Sequence, residues 1–203
     1  MDIDALTARA GQLGGHGRAL LGIAGAPGAG KSTMAEQLVS RIGPEAVVVP
    51  MDGYHLHDDE LARLGLGHRK GAPETFDVEG YVALLARLRT ETAHTVWAPA
   101  FDRARELSVA GAIGVRPEHR LVVTEGNYLL FEDRGWAAVR PLLDEVWFVE
   151  QDEATRVDRL VERHVAHGKP VDLARRWTLE SDQANADLVA GTRAVADLVV
   201  SVG

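Results

Sequence analysis

One run of eight residues constrains this chain more than any other: Gly25-Ala26-Pro27-Gly28-Ala29-Gly30-Lys31-Ser32. It matches the pattern G-x-x-x-x-G-K-[ST]. An apolar stretch, 19–26, leads into it. A stretch with apolar residues at Met34, Ala35, Leu38, Val39 and Ile42 leads out, which is helical spacing. A strand that turns through glycines into a helix makes a cradle for phosphate. The glycines let backbone N–H groups close around phosphate oxygens, and the helix N-terminus adds partial positive charge. Lys31 is placed to reach β- and γ-phosphates, and Ser32 to ligate Mg²⁺. The expected nucleotide-binding set is therefore Gly25, Ala26, Pro27, Gly28, Ala29, Gly30, Lys31, Ser32 and Thr33.

The rest of the chain alternates short apolar runs with helical patterns. Strands are expected at 19–26, 46–50, 94–99, 120–126, 145–150 and 196–202. Helices are expected at 3–13, 31–42, 58–64, 78–89, 153–166 and 172–190, the last after a break at His167-Gly168-Lys169-Pro170. This alternation predicts an α/β fold of the P-loop NTPase type, three layers around a mostly parallel five-stranded sheet. A length of 203 residues fits a single domain. In such sheets ligands sit at the carboxyl ends of the strands. Three of the runs end on Gly25, Asp52 and Glu125.

Composition narrows the function. There is no cysteine, which excludes disulfides, zinc thiolates and thiol nucleophiles. A net charge of -8 argues against a nucleic-acid surface. The first residues, MDIDALTARAGQL, carry early acids rather than a signal-like apolar core. No apolar run approaches the ~20 residues a membrane span needs. A cytoplasmic protein with small-molecule partners is expected, with a homodimer left open. A guanine-reading N-K-x-D and a D-x-x-G are missing. After the apolar run LVVT stand Glu125, Gly126 and Asn127, and Glu125 fits a Mg²⁺- or water-holding role.

At this point the chain resembles a family, the phosphoribulokinase, uridine kinase and bacterial pantothenate kinase group. MDGYHLHDDELARLGLGHRKGAPETFD, 51–77, is similar to the pantothenate kinase segment with D-G-F-L followed by K-G-F-P-E-S-Y-D. VWAPAFD, 96–102, resembles T-A-P-V-Y and the uridine kinase P-x-Y-D-F. TEGNYLL, 124–130, resembles L-E-G-L-N, and TRAVADLVV, 192–200, resembles T-R-E-R-A-S-L-I-L. The likeness is nearest to the short bacterial fructokinase-like members. Three departures stand out: no long N-terminal extension, Arg103 where pantothenate kinases carry a pocket histidine, and no histidine downstream of the Phe101-Asp102 pair.

The resemblance implies an ATP- and Mg²⁺-dependent kinase acting on a hydroxyl of a small metabolite (sugar, nucleoside or pantothenate-like). It also implies an acceptor-binding insert at about 53–77 and a helical lid at about 159–175. Asp52 is the expected base for the acceptor hydroxyl, and with Ser32 and Glu125 a candidate Mg²⁺ ligand. A carboxylate within hydrogen-bond reach of a hydroxyl orients it and accepts its proton late. Arg159 and Arg163 are the lid cations expected over the phosphates, and Arg156 is expected in surface ion pairs with Glu153, Asp158 and Glu162. His57 and Tyr54 are expected to touch the acceptor, and His55 to pack or be solvated. An alternative has His55, His57 and Asp52 as a transition-metal site. Lys70, with His68 and Arg69, suggests an anionic substrate or a solvated loop. Phe76 and Phe101 are expected as a wall or as core, and Asp102, Arg103 and Asn127 as polar contacts. Asn185 is placed in the pocket or on a solvated helix face. The competing function is a nucleotide-switch protein with no phosphoryl acceptor.

Overall fold

A computed structural model describes residues 2–202. Five strands form one sheet: β1 (Ala19–Gly25), β2 (Ala46–Pro50), Leu121–Gly126, Glu145–Gln151 and Leu198–Val202. Numbered with the hairpin described below, the last three are β5, β6 and β7. The order is β2-β5-β1-β6-β7, and every neighbouring pair is parallel. A parallel sheet is covered on both faces, so its strands read as continuous apolar runs. Both β1 and β5 are buried at every residue.

Period-two alternation splits β1 between two cores. Leu21 and Ile23 face α1 (Ile3–Leu13) and α2 (Lys31–Ile42), packing with Leu6, Met34, Leu38 and Trp147. Leu20 and Ala24 face the opposite core, which holds Tyr81, Leu85 and Leu88 of the helix Val78–Thr90 together with Tyr128 and Trp136. The three-layer arrangement follows. Among the described residues no helix is long and apolar enough to cross a membrane.

Between β2 and the helix Val78–Thr90 (α4) lies a short helix, α3 (Asp58–Arg63), set among 3₁₀ turns. The expected strand at 94–99 does form, but outside the parallel sheet. It is Val96–Asp102 (β3), paired antiparallel with Leu107–Val115 (β4), with a register shift between Ala98 and Ala100. Sequence periodicity missed β4 because Ala110, Gly111, Ala112 and Gly114 break up the β-branched residues of LSVAGAIGV and four successive residues are exposed. The hairpin closes on Gly53: a Cβ there would lie 2.5 Å from the Pro99 carbonyl oxygen. Residues following β2 and the hairpin are thereby locked together.

The expected helix 172–190 is in three pieces. α6 (Val171–Trp177) follows α5 (Glu153–Ala166). A π-turn, Thr178–Asp182, then joins α6 to α7 (Gln183–Ala190).

Candidate active site

The glycine-rich loop leaves β1 through Gly25 (φ 149°) and turns at Gly28 (φ 80°) and Gly30 (φ 94°). These φ values favour glycine. Crowding restricts two of the positions further: a Cβ on Gly25 would lie 2.6 Å from the Val149 carbonyl oxygen, and one on Gly28 would lie 2.8 Å from Leu160. The loop therefore sits against β6 and α5. Lys31, on the first turn of α2, is 8% exposed. Its Nζ donates to the Ala26 carbonyl at 2.9 Å and to Asn127 Oδ1 at 2.7 Å. Burial drives its pKa from the ordinary 10.5 to about 8, against the pull of the Glu125 and Asp52 carboxylates. A multiply charged phosphate would relieve that burden.

Ser32 Oγ donates to Glu125 Oε1 at 2.9 Å. Burial raises the Glu125 carboxyl, and the Asp52 charge raises it further. Asp52 stands on the 3₁₀ turn Met51–Tyr54 just past β2, its side chain 24% exposed, and accepts a 2.6 Å hydrogen bond from Arg103 Nη2 at Oδ2. Burial pushes the Asp52 carboxyl up, but His55, Arg103 and Lys31 outweigh it and the net direction is down. His55 is itself driven down by burial. Of the groups that keep Asp52 ionised, Arg103 also holds it by a hydrogen bond. Behind Glu125, Tyr81 Oη and Thr124 Oγ1 lie 2.6 Å apart, and Thr124 donates to the Val49 carbonyl at 2.7 Å, tying β5 to β2.

The phosphate-side and carboxylate groups line one cavity of about 110 Å³. Lys31, Ser32, Asp52, Glu125, Asn127 and Arg163 all face it. A larger cleft of about 750 Å³, lined by Gly28, Gly30, Thr33, Gln37, Arg159 and Arg163, runs along the outer side of the loop.

Relatives of known sequence fit this geometry. The chain is 38% identical over 152 residues to an ATP-dependent kinase-like protein of Aspergillus versicolor, covering 70% of this chain and 88% of that protein. It is 32% identical over 194 residues to a Schizosaccharomyces pombe protein provisionally named a uridine kinase, covering 90% and 83%. The chain belongs to the uridine kinase-like P-loop kinases. It is a small-molecule kinase. A Silicibacter crystal structure, provisionally named a fructose transport system kinase, superposes with a TM-score of 0.89 at 40% identity, over 98% of this chain and 99% of that one. A Saccharomyces cerevisiae protein at 18% identity shares the fold, with a TM-score of 0.85 over 100% and 99% of the two chains. No protein-family profile matches the chain.

Several residues of this kinase lie where the sequence did not put them. His57 does not line the cavity. It precedes α3, and its Nδ1 accepts from the Asp59 backbone N–H at 3.2 Å, so it is the helix cap and is exposed. His55 lines the cavity instead. An isolated bridge to Phe76 turns it inward, its ring stacks on Phe76 at 4.1 Å, and Phe101 meets it edge-on at 4.8 Å. Among the described residues the buried His55 Nδ1 has no hydrogen-bond partner. Among the described residues no three His, Asp or Glu side chains converge as a metal-binding group, so the H-x-H metal reading has no support in the fold.

Tyr54 packs with the core, its ring 5.3 Å from Tyr81, and burial raises its hydroxyl to about 12. Asp102 serves the hairpin turn, accepting from the Ala104 and Arg105 backbone N–H groups at 2.9 and 3.1 Å. Arg156 is buried rather than on a solvated face. Its Nη1 donates to the Pro27 carbonyl at 3.3 Å and its Nη2 to Gln183, so it braces the phosphate loop from α5. Asn185 is buried, lines the cavity and donates to the Gly71 carbonyl at 3.3 Å. Phe76 is both core and cavity wall.

Proposed function

We propose that this kinase transfers the γ-phosphoryl group of ATP to a hydroxyl of a small metabolite, with Mg²⁺. The observation that carries this reading is the sharing of one cavity by the phosphate-side groups Lys31 and Ser32 and the carboxylate Asp52. Phosphoryl transfer is mostly positioning and charge neutralisation. The acceptor oxygen forms a bond to the γ-phosphorus as the bond to the β-bridging oxygen breaks. ADP leaves with the electron pair, and the acceptor's proton passes to Asp52. Arg103 holds Asp52 Oδ2, and Oδ1 takes no hydrogen bond among the described residues, which leaves it for the incoming hydroxyl. Lys31, Arg159 and Arg163 place positive charge around the transferring group.

The donors fit Mg²⁺. Ser32 and Glu125 offer adjacent oxygens, with Asp52 on the same cavity. A site with few protein oxygens suits an ion that keeps waters and binds largely through substrate phosphates. When bound, Mg²⁺ would neutralise charge on the β- and γ-oxygens. We read the 203 residues as one kinase domain, with an acceptor-binding insert at about 53–77 and a lid at about 159–175 carrying Arg159 and Arg163. The nucleotide set is Gly25 to Thr33. Asp52, Phe76, Arg103, Asn127 and Asn185 form the acceptor side, joined by His55.

A sugar, as the Silicibacter relative's name suggests, and a nucleoside, as the uridine kinase names suggest, both belong to the acceptor class. Coupled ADP-release assays over sugars, nucleosides, sugar acids and pantothenate-like alcohols test the reading. It expects at least one acceptor to raise turnover about a hundredfold over ATP hydrolysis alone. Hydrolysis that no acceptor accelerates would favour an NTPase or switch protein instead.

A further inference from the structure

The cavity at Asp52, about 110 Å³, is well below the roughly 300–1,000 Å³ of a small-molecule site. It holds a phosphoryl group and a hydroxyl, not a whole acceptor. A second cavity of about 390 Å³ adjoins it. The two share His55, Gly71, Arg103, Arg163 and Asp182, so they are continuous. None of the phosphate-loop residues 25–33 lines the second cavity, which therefore extends from the acceptor side. Phe101 and Trp177 supply its apolar walls.

Its charges are arranged unevenly. Lys70 pairs with Asp58 at 2.7 Å and Glu106 at 3.3 Å, Arg103 with Asp52 at 2.6 Å, and His164 Nε2 with Asp182 at 2.8 Å. Among the described residues, Arg163 and Lys169 form no such pair, although both face this cavity and neither is fully exposed. The chain has a net charge of -8 and no shortage of carboxylates. Lys169 is also held in place: its Nζ lies 3.4 Å from His164 Nδ1 and 5.4 Å from the Trp177 ring centre. His164 thus lies between Asp182 and Lys169, and the Lys169 ammonium makes no ion pair of its own among the described residues. Partly desolvated cations gain most from a charge-assisted contact with an anion.

We propose that this second cavity binds the non-reacting end of the acceptor, and that this end carries an anionic group, carboxylate or phosphate, contacted by Lys169, with Arg163 standing between it and the transferring phosphoryl group. The proposal rests on the kinase reading above, with the reacting hydroxyl at Asp52. A polyhydroxy acid or a sugar phosphate meets both requirements. An unsubstituted sugar leaves Lys169 without a counter-charge.

The test is steady-state ADP release by the full chain with three matched sets of acceptors: neutral sugars and polyols, the corresponding sugar acids, and the corresponding sugar monophosphates. The expected result is a kcat/KM for one anionic set at least about tenfold above the neutral set, the scale of one charged hydrogen bond. Which set wins separates carboxylate from phosphate. Lys169→Met should raise the KM for the anionic acceptor about tenfold, with the KM for ATP held, and Lys169→Arg should restore much of it. Neutral acceptors preferred, or a Lys169→Met enzyme with unchanged acceptor KM, would overturn this inference and leave the kinase reading standing. Failure of every acceptor to stimulate ADP release would overturn both.

Discussion

Lys31 offers a quantitative handle on the phosphate site. Its ammonium is buried between Ala26, Asn127 and the carboxylates, and burial holds its pKa at about 8 instead of 10.5. The folded chain therefore binds this proton less tightly than the unfolded chain does. From about pH 8 to 10.5 the unfolded state carries more protons, so stability rises with pH across that window. Between about pH 7 and pH 9.5 the gain from this one group is about 2 kcal/mol. Other groups titrate there too, so the quantity to measure is a difference. Urea unfolding of the nucleotide-free protein and of Lys31→Met, at several pH values in the window, isolates the Lys31 share. Wild type should gain about 2 kcal/mol relative to the variant as pH rises. Nucleotide binding should show the opposite trend, because a triphosphate favours the charged amine. Affinity in the wild type should fall above about pH 8, by up to tenfold per pH unit, and stay flat in the variant. Parallel stability curves for the two proteins across the window would refute the reasoning.

Two further substitutions separate positions that the fold reassigns. Arg156→Met removes the donor to the Pro27 carbonyl, which should cost about 1–3 kcal/mol of stability and raise the KM for ATP; thermal melts and steady-state kinetics read both, and an unchanged pair of values would return Arg156 to the solvated surface. His57→Ala should lose at most about 1 kcal/mol as a lost helix cap, with the acceptor KM intact. His55→Ala should instead raise the acceptor KM, and the reverse pattern would reinstate His57 as the contact.

Much of the sheet was legible in the sequence because buried parallel strands read as plain apolar runs. The phosphate loop was legible because few residue combinations can wrap backbone N–H groups around phosphate at a strand–helix turn. Asp52 and Glu125 were singled out by their places at or just past strand ends, and both line the cavity. The misplacements have a common cause, that long-range packing chooses between local equivalents. His55 and His57 stand two residues apart on a short extended segment; the bridge to Phe76 turns one inward, and α3 takes the other as its cap. Arg156 sits three residues after Glu153, which reads as a surface pair until the loop at Pro27 closes over it. β4 is diluted by glycine and alanine, and its strand register is set by pairing with β3. The π-turn at Thr178–Asp182 has no period to announce it, yet it brings Asp182 to His164.

The reading turns on Asp52 as the group that receives the acceptor's proton. With the best acceptor in hand, single-turnover phosphoryl transfer by Asp52→Asn, set beside the equilibrium binding of ATP, is the most direct measurement. Loss of the carboxylate should lower the transfer rate by roughly a hundredfold or more while the Kd for ATP changes by less than about threefold. Transfer at the wild-type rate, with ATP still bound, would show that the proton goes elsewhere and that Asp52 does not carry the chemistry.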